Sequence, residues 1–171
     1  MTTATSAINW DEYFMALAIL VSLRSKDPSS KVGAVLVRDK KIIGTGYNGF
    51  PSGCDETKFP WNRDMSAGWL NTKYPYVIHA EANALLNTVA PAAGGSVYVT
   101  MHPCNECAKL LIQGGVRQVV YLSQKHKDAD AFVAASRLLE VTGVQVRQLG
   151  EQDIHFEAII ERFQRARDAR E

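Results

Sequence analysis

The sequence predicts an α/β fold, a three-layer α/β/α sandwich around a five-stranded mixed sheet. Three observations lead there. Apolar residues recur at helical and strand spacings in the order α-β-β-α-β-α-β-α-β-α, which places helices on both faces of one sheet. Proline, glycine and serine punctuate the boundaries of those segments. A chain of 171 residues, 46% hydrophobic and 22% charged, is large enough to bury one core without disulfide staples, so a single domain over 1–171 is expected.

Taken in order, residues 2–7 are small and polar and read as a frayed tail. Asn9, with Glu12 three residues on, has the spacing of a capping box, and Phe14, Leu17, Ala18 and Val21 continue as the apolar stripe of a helix over 10–24. Asp27-Pro28 and Ser29-Ser30 break it. Val32 to Val37 and Lys41 to Tyr47 flank Asp39-Lys40 as a hairpin. Residues 48–76 form an irregular insertion broken by Pro51, Pro60 and Pro75. Its aromatics (Phe50, Phe59, Trp61, Trp69, Tyr74) are too many for a solvated tail, so an ordered binding or interface role is expected. His79 to Thr88 has a helical pattern, and Ser96 to Thr100 alternates as a strand. Cys104 to Gln113 is a helix stopped by Gly114-Gly115, and Gln118 to Leu122 a strand. Asp130 to Thr142 is a helix closed by Gly143, and Val144 to Leu149 the last strand. Ile154, Ile159, Ile160 and Phe163 suggest a terminal helix at about 153–170.

The net charge of +1 argues against a nucleic-acid partner or a membrane surface, and no apolar run approaches the roughly 20 residues that span a bilayer. Met1 to Ala7 lacks the order of a secretory signal. Of the three cysteines, two belong to a metal pattern and Cys54 has no spare partner, which fits a reducing compartment, with the cytoplasm expected.

That pattern lies at the two ends of one stretch, His79-Ala80-Glu81 and Pro103-Cys104-Asn105-Glu106-Cys107. One imidazole and two thiolates suit zinc, and three protein ligands leave a fourth position open, as in a catalytic rather than a structural site. Glu81 then stands beside the ion as a general acid/base without ligating it. His-x-Glu alone is common, and Cys-x-x-Cys alone fits a redox pair. A structural zinc would need His102, Cys54 or His126 as a fourth ligand. Both fragments in this order match the H-x-E…P-C-x-x-C signature of zinc base deaminases.

The surrounding words narrow the match. Arg24-Ser25-Lys26-Asp27-Pro28, Gly46-Tyr47-Asn48-Gly49-Phe50-Pro51, Thr72-Lys73-Tyr74-Pro75-Tyr76 and Cys104-Asn105-Glu106-Cys107-Ala108-Lys109 resemble the deoxycytidylate (dCMP) deaminase family, across roughly residues 10–148. The resemblance implies a cytidine-deaminase-like sandwich with His79 and Cys104 opening adjacent helices, and one Zn(2+) per subunit. It also implies hydrolytic deamination of dCMP to dUMP, supplying thymidylate synthesis. It further implies a homohexamer activated by dCTP and inhibited by dTTP, with Mg(2+) on the effector nucleotide. The effector contacts are expected at Gly46, Tyr47, Asn48, Gly49, Phe50 and Gly53. For the substrate, Ala80, Pro103 and neighbouring backbone are expected to read the base, Val32 and Ala34 to pack on it, and His102 to line the pocket mouth. Asn48 resembles the residue that bonds the sugar hydroxyl. Arg24, Lys26, Lys125 and His126 are the candidates for the 5′-phosphate, although His126 stands where relatives carry tyrosine. Competing readings are a tRNA adenosine deaminase, which shares both fragments, another small-molecule cytosine deaminase (dCTP included), and a non-enzymatic zinc module with a closed four-ligand site.

Overall fold

In a computed structural model the described residues are 7–124 and 128–150, together with Ile154, Glu157, Ile159, Ile160, Glu161 and Gln164. The elements are α1 (Trp10–Ser22), β1 (Gly33–Arg38), β2 (Lys41–Tyr47), α2 (Ala80–Leu86), β3 (Ser96–Met101), α3 (Asn105–Gln113), β4 (Gln118–Ser123), α4 (Asp130–Val141) and β5 (Gln145–Gln148). The five strands form one mixed sheet in the order β2-β1-β3-β4-β5. β1 runs antiparallel to both β2 and β3, whereas β3, β4 and β5 are parallel. The terminal helix expected at about 153–170 lies largely outside the described residues; within it Glu157, Ile159–Glu161 and Gln164 are helical.

The central strands carry unbroken apolar runs because both faces are covered. Along β1, Ala34 and Leu36 point into a core shared with α2, α3 and α4 (Ala80, Ala84, Ala108, Leu111, Ala135, Leu139). Val35 and Val37 point the other way, against Phe14, Met15 and Ala18 of α1. β2 lies so close to α2 that a Cβ at Gly46 would sit 2.2 Å from the Ala84 nitrogen. At the start of α1 the Asn9 carboxamide accepts a hydrogen bond from the Glu12 nitrogen at 2.8 Å, the cap that the spacing predicts.

Because β1 is antiparallel to β3, the N-terminal end of β1 meets the C-terminal end of β3, where the Gly33 nitrogen donates to Thr100 Oγ1 at 3.2 Å. Residues from both chain segments therefore converge at one edge of the sandwich. The insertion has no regular helix or strand among its described residues. It consists of short 3₁₀ turns at Glu56–Lys58, Met65–Ala67 and Trp69–Asn71, the first two capped by Asp55 and Asp64. An aromatic cluster holds it together: Phe50 packs on Trp61 (4.3 Å) and Phe59 (5.5 Å), and Phe59 on Tyr76 (4.9 Å).

Two stability results are expected from this packing. Leu111 is fully buried on α3, so Leu111→Ala should cost about 2–5 kcal/mol, read as a lower urea midpoint at unchanged slope. Asp11 joins three elements, accepting from Tyr98 Oη and Arg147 Nη2 at 2.8 Å each. Partial burial opposes ionisation of its carboxyl, but the Arg147 and Tyr98 hydrogen bonds outweigh it and hold the pKa below its ordinary 3.8. That stabilisation is present above the unfolded value and is lost as pH falls through the folded one. Asp11→Asn should therefore melt earlier than the parent at pH 7 and together with it once both Asp11 states are protonated. A gap that persists at the acid end would contradict the assignment.

Candidate active site

His79 and Cys104 occupy the N-cap positions of α2 and α3. Both are extended (φ −74°, ψ 156° and φ −76°, ψ 174°), and neither caps its helix with a side-chain hydrogen bond. Serine or aspartate would ordinarily satisfy the first-turn N–H groups from there. These two side chains face one another instead. His79 Nδ1 lies 3.4 Å from Cys104 Sγ and 3.3 Å from Cys107 Sγ. Cys107 sits in the first turn of α3 and is buried, where exposed backbone N–H groups favour negative sulfur.

Each fragment is delivered by a backbone contact. An isolated bridge pairs Gly49 with Ile78 (Ile78 N to Gly49 O, 2.8 Å; Gly49 N to Ile78 O, 3.1 Å) and sets the residue before His79. The His102 nitrogen donates to the Ser123 carbonyl at 2.8 Å, extending the β3–β4 pairing up to Pro103-Cys104.

The donor set fits zinc. Zn–N of about 2.0 Å and Zn–S of about 2.3 Å at tetrahedral angles imply N to S edges of about 3.5 Å, and the three donor atoms all lie within 4.8 Å of one another. Among the described residues, the group contains three ligands and no fourth. Hydrogen bonds from Cys107 and His79 draw the Cys104 thiol down to about 4, while the Cys104 hydrogen bond and burial push the Cys107 thiol up. The hydrogen bond to Cys104 raises His79. Glu81 is 4% exposed, and burial raises its pKa above the ordinary 4.5 against the opposing pull of His79. The site thus holds a metal triad with a buried carboxyl of raised proton affinity beside it.

Other residues singled out in the sequence have varied placements. Val32 is half-buried at the start of β1, and its nitrogen donates to Asn48 Oδ1 at 2.8 Å. Asn48 commits both amide hydrogens internally, to Asp27 Oδ2 (3.1 Å) and the Ser30 carbonyl (2.9 Å), so only one lone pair on Oδ1 is left beyond the bond from Val32. Ala80 and Pro103 are buried at the starts of their fragments. Ala34 has no exposed surface and packs within the core, so it does not face a base. Arg24 and Lys26 are exposed, and Lys26 Nζ pairs with Glu56 Oε1 at 3.0 Å. Lys125 and His126 lie outside the described residues.

Two further expectations are corrected. His102 does not line a pocket mouth: it is 3% exposed, its ring edge-on to Tyr121 at 4.8 Å, with Nδ1 2.9 Å from the Pro103 carbonyl. The β3–β4 pairing runs one residue past the strand and turns the ring into the core. Gly46 is buried against α2 and offers no surface to an effector. Tyr47, Gly49, Phe50 and Gly53 keep some exposure. Sequence reasoning missed Asp27 and Lys73, a buried ion pair behind Asn48; the only signal was their presence in the Lys-Asp-Pro and Thr-Lys-Tyr-Pro words.

Residues 8–123 match the model of the cytidine and deoxycytidylate deaminase zinc-binding region. The chain is 50% identical over 143 residues to a deoxycytidylate deaminase of Mus musculus, covering 82% of this chain and 80% of the relative. It is 49% identical over 143 residues to the human deoxycytidylate deaminase, with the same coverage. Its fold matches the crystal structure of a dCMP deaminase from cyanophage S-TIM5 in complex with dCMP and dUMP. That match has a TM-score of 0.64 at 31% identity, over 81% of this chain and 95% of the other.

Proposed function

This chain belongs to the cytidine and deoxycytidylate deaminase family, and on that premise we propose that it catalyses the zinc-dependent hydrolysis of dCMP to dUMP and ammonia. The observation that carries the reading is the buried carboxyl of Glu81 standing beside the His79, Cys104 and Cys107 donors, in a chain half identical to deoxycytidylate deaminases.

His79, Cys104 and Cys107 would hold the zinc, which would act as a Lewis acid toward water near neutral pH. Glu81 accepts a proton from the attacking water and delivers protons to the ring nitrogen and to the departing amine. Its burial suits both roles, because raised proton affinity brings its pKa closer to the working pH. Backbone groups around Ala80 and Pro103 orient the base edge, Val32 packs on the ring, and the free lone pair of Asn48 Oδ1 accepts the sugar hydroxyl. Arg24 and Lys26 in the α1–β1 loop are the candidates for the 5′-phosphate, together with Lys125 and His126 from the sequence.

The same reading extends to control and assembly. The Gly-Tyr-Asn-Gly-Phe-Pro word supports an effector site at Tyr47, Gly49, Phe50 and Gly53, without the buried Asn48, that takes dCTP as activator and dTTP as inhibitor, with Mg(2+) on the triphosphate. The exposed Met65, Trp69 and Leu70 offer an apolar surface for assembly into a hexamer. Three unpaired cysteines fit the cytoplasm, and no helix among the described residues is long and apolar enough to cross a membrane.

The test is substrate selection. Zinc-loaded protein offered dCMP, CMP, deoxycytidine and dCTP in parallel should turn over dCMP with the highest kcat/KM. Failure on all four, with and without dCTP and magnesium, would overturn the reading, and deamination of an adenosine in tRNA in their place would redirect it.

A further inference from the structure

Apart from Glu81 and the metal triad, the most completely buried charges among the described residues are Asp27 and Lys73, 0% and 7% exposed and paired through Asp27 Oδ2 and Lys73 Nζ. They are 46 positions apart and come from two irregular segments, the α1–β1 loop and the end of the insertion. Asp27 Oδ1 accepts from the Ser29 nitrogen at 2.8 Å and the Ser30 nitrogen at 3.1 Å. Asp27 Oδ2 accepts from Asn48 Nδ2 at 3.1 Å as well as from Lys73. The Asn48 carbonyl accepts from Ser25 Oγ at 2.8 Å, and the Ser25 carbonyl from Lys31 Nζ. Lys73 is anchored through its own backbone. Its nitrogen donates to the Asn62 carbonyl at 2.9 Å, and its carbonyl accepts from Tyr76 and Val77 at 3.0 Å each. The next residue is Ile78, whose bridge to Gly49 sets His79.

A buried ion pair of this kind is a poor way to stabilise a fold. Desolvating both charges offsets most of their attraction, and an apolar pair of similar volume often serves as well or better. What a fully hydrogen-bonded pair does supply is a unique arrangement of the segments that carry it. Here the α1–β1 loop holds Ser25, Lys26 and Val32 and is bonded to Asn48, and the end of the insertion leads into His79.

We infer that the Asp27–Lys73 pair is a positioning device that fixes Asn48 and the α1–β1 loop relative to the metal triad, and so sets affinity for the sugar-phosphate half of the substrate. The inference rests on the dCMP reading above. Neither residue touches the reacting atoms. Removing the pair should loosen the wall that binds the nucleotide while leaving the ligands and Glu81 to do the same chemistry once substrate is held.

The experiment compares the full-length parent with Lys73→Met, Lys73→Arg and the apolar double variant Asp27→Leu/Lys73→Met. For each, zinc content, melting temperature, and kcat and KM for dCMP are measured. Lys73→Met leaves a buried carboxylate unpaired and can fail to fold, which is why the double variant is included. The expected result is a zinc-loaded double variant with KM for dCMP raised about tenfold or more, kcat within about threefold, and Lys73→Arg recovering most of the lost affinity. A folded double variant with parental KM would overturn the inference. So would equal loss of kcat and zinc, or failure of every variant except Lys73→Arg to fold, since the pair would then serve the fold or the metal alone. An active parent isolates these outcomes from the parent reading; an inactive parent overturns both.

Discussion

Glu81→Gln is expected to lower kcat for dCMP by about 10²–10⁴-fold or more while the protein keeps its zinc and its melting temperature. Gln is nearly isosteric with Glu and still hydrogen-bonds, but it cannot take up a proton from water or pass one on. The placement of Glu81 makes the loss specific to chemistry. The residue is buried one position into α2, behind the ligand His79, and its raised pKa comes from desolvation. A neutral amide avoids that desolvation cost, so the variant should be at least as stable as the parent at neutral pH. The sign follows from linkage. A carboxyl with a folded pKa above its unfolded value weakens the fold once pH exceeds the unfolded value, and the penalty levels off above the folded one. Stopped turnover with intact metal would place Glu81 in the proton-transfer steps. Parental kcat in a folded, zinc-loaded Glu81→Gln protein would remove it from them.

The second large effect is expected at Cys107. The residue is 1% exposed, on the first turn of α3, and supplies one of only three ligands in the described cluster. Serine there is a neutral, harder oxygen at pH 7 and a poor partner for zinc beside one imidazole and one thiolate. Cys107→Ser should therefore hold less than about a tenth of the parental zinc after dialysis, show no measurable dCMP turnover, and lose the stabilisation that bound metal confers on the native state. Cys54→Ser is the matched control: its thiol lies outside the cluster, and metal content and activity should both be unchanged. Metal analysis of the two variants side by side checks the ligand set, and a Cys107→Ser protein with full zinc would contradict it.

Most of the sheet was legible because its strands are separated by strong punctuation and carry runs that only a two-faced burial explains. The expected β2 bounds, Lys41 to Tyr47, are the observed ones. The helices at the site begin one residue later than the periodicity suggests, because His79 and Cys104 serve as extended caps rather than first helical residues. The metal donors were legible because their chemistry is local to two short fragments. Sheet order was not, since a hairpin at residues 32–47 does not reveal which of its strands pairs with β3. Contacts between loops were harder still. Nothing near Asp27 in sequence announces Lys73, and an Asp-Pro pair reads as a helix breaker rather than as half of a buried ion pair. His102 misled for a related reason: a polar residue before Pro103-Cys104 suggests a pocket rim, but the pairing of its backbone with Ser123 turns the ring between Tyr121 and Phe132.

The most direct single measurement is a zinc titration of metal-free protein with dCMP as substrate, following loss of cytosine absorbance and release of ammonia together. Turnover should rise with added zinc, level off at one equivalent per chain, and yield dUMP and ammonia in equal amounts. Turnover that does not depend on zinc, or a protein that takes up one zinc per chain and leaves dCMP unchanged, would contradict the assignment of His79, Cys104, Cys107 and Glu81 to a hydrolytic dCMP site.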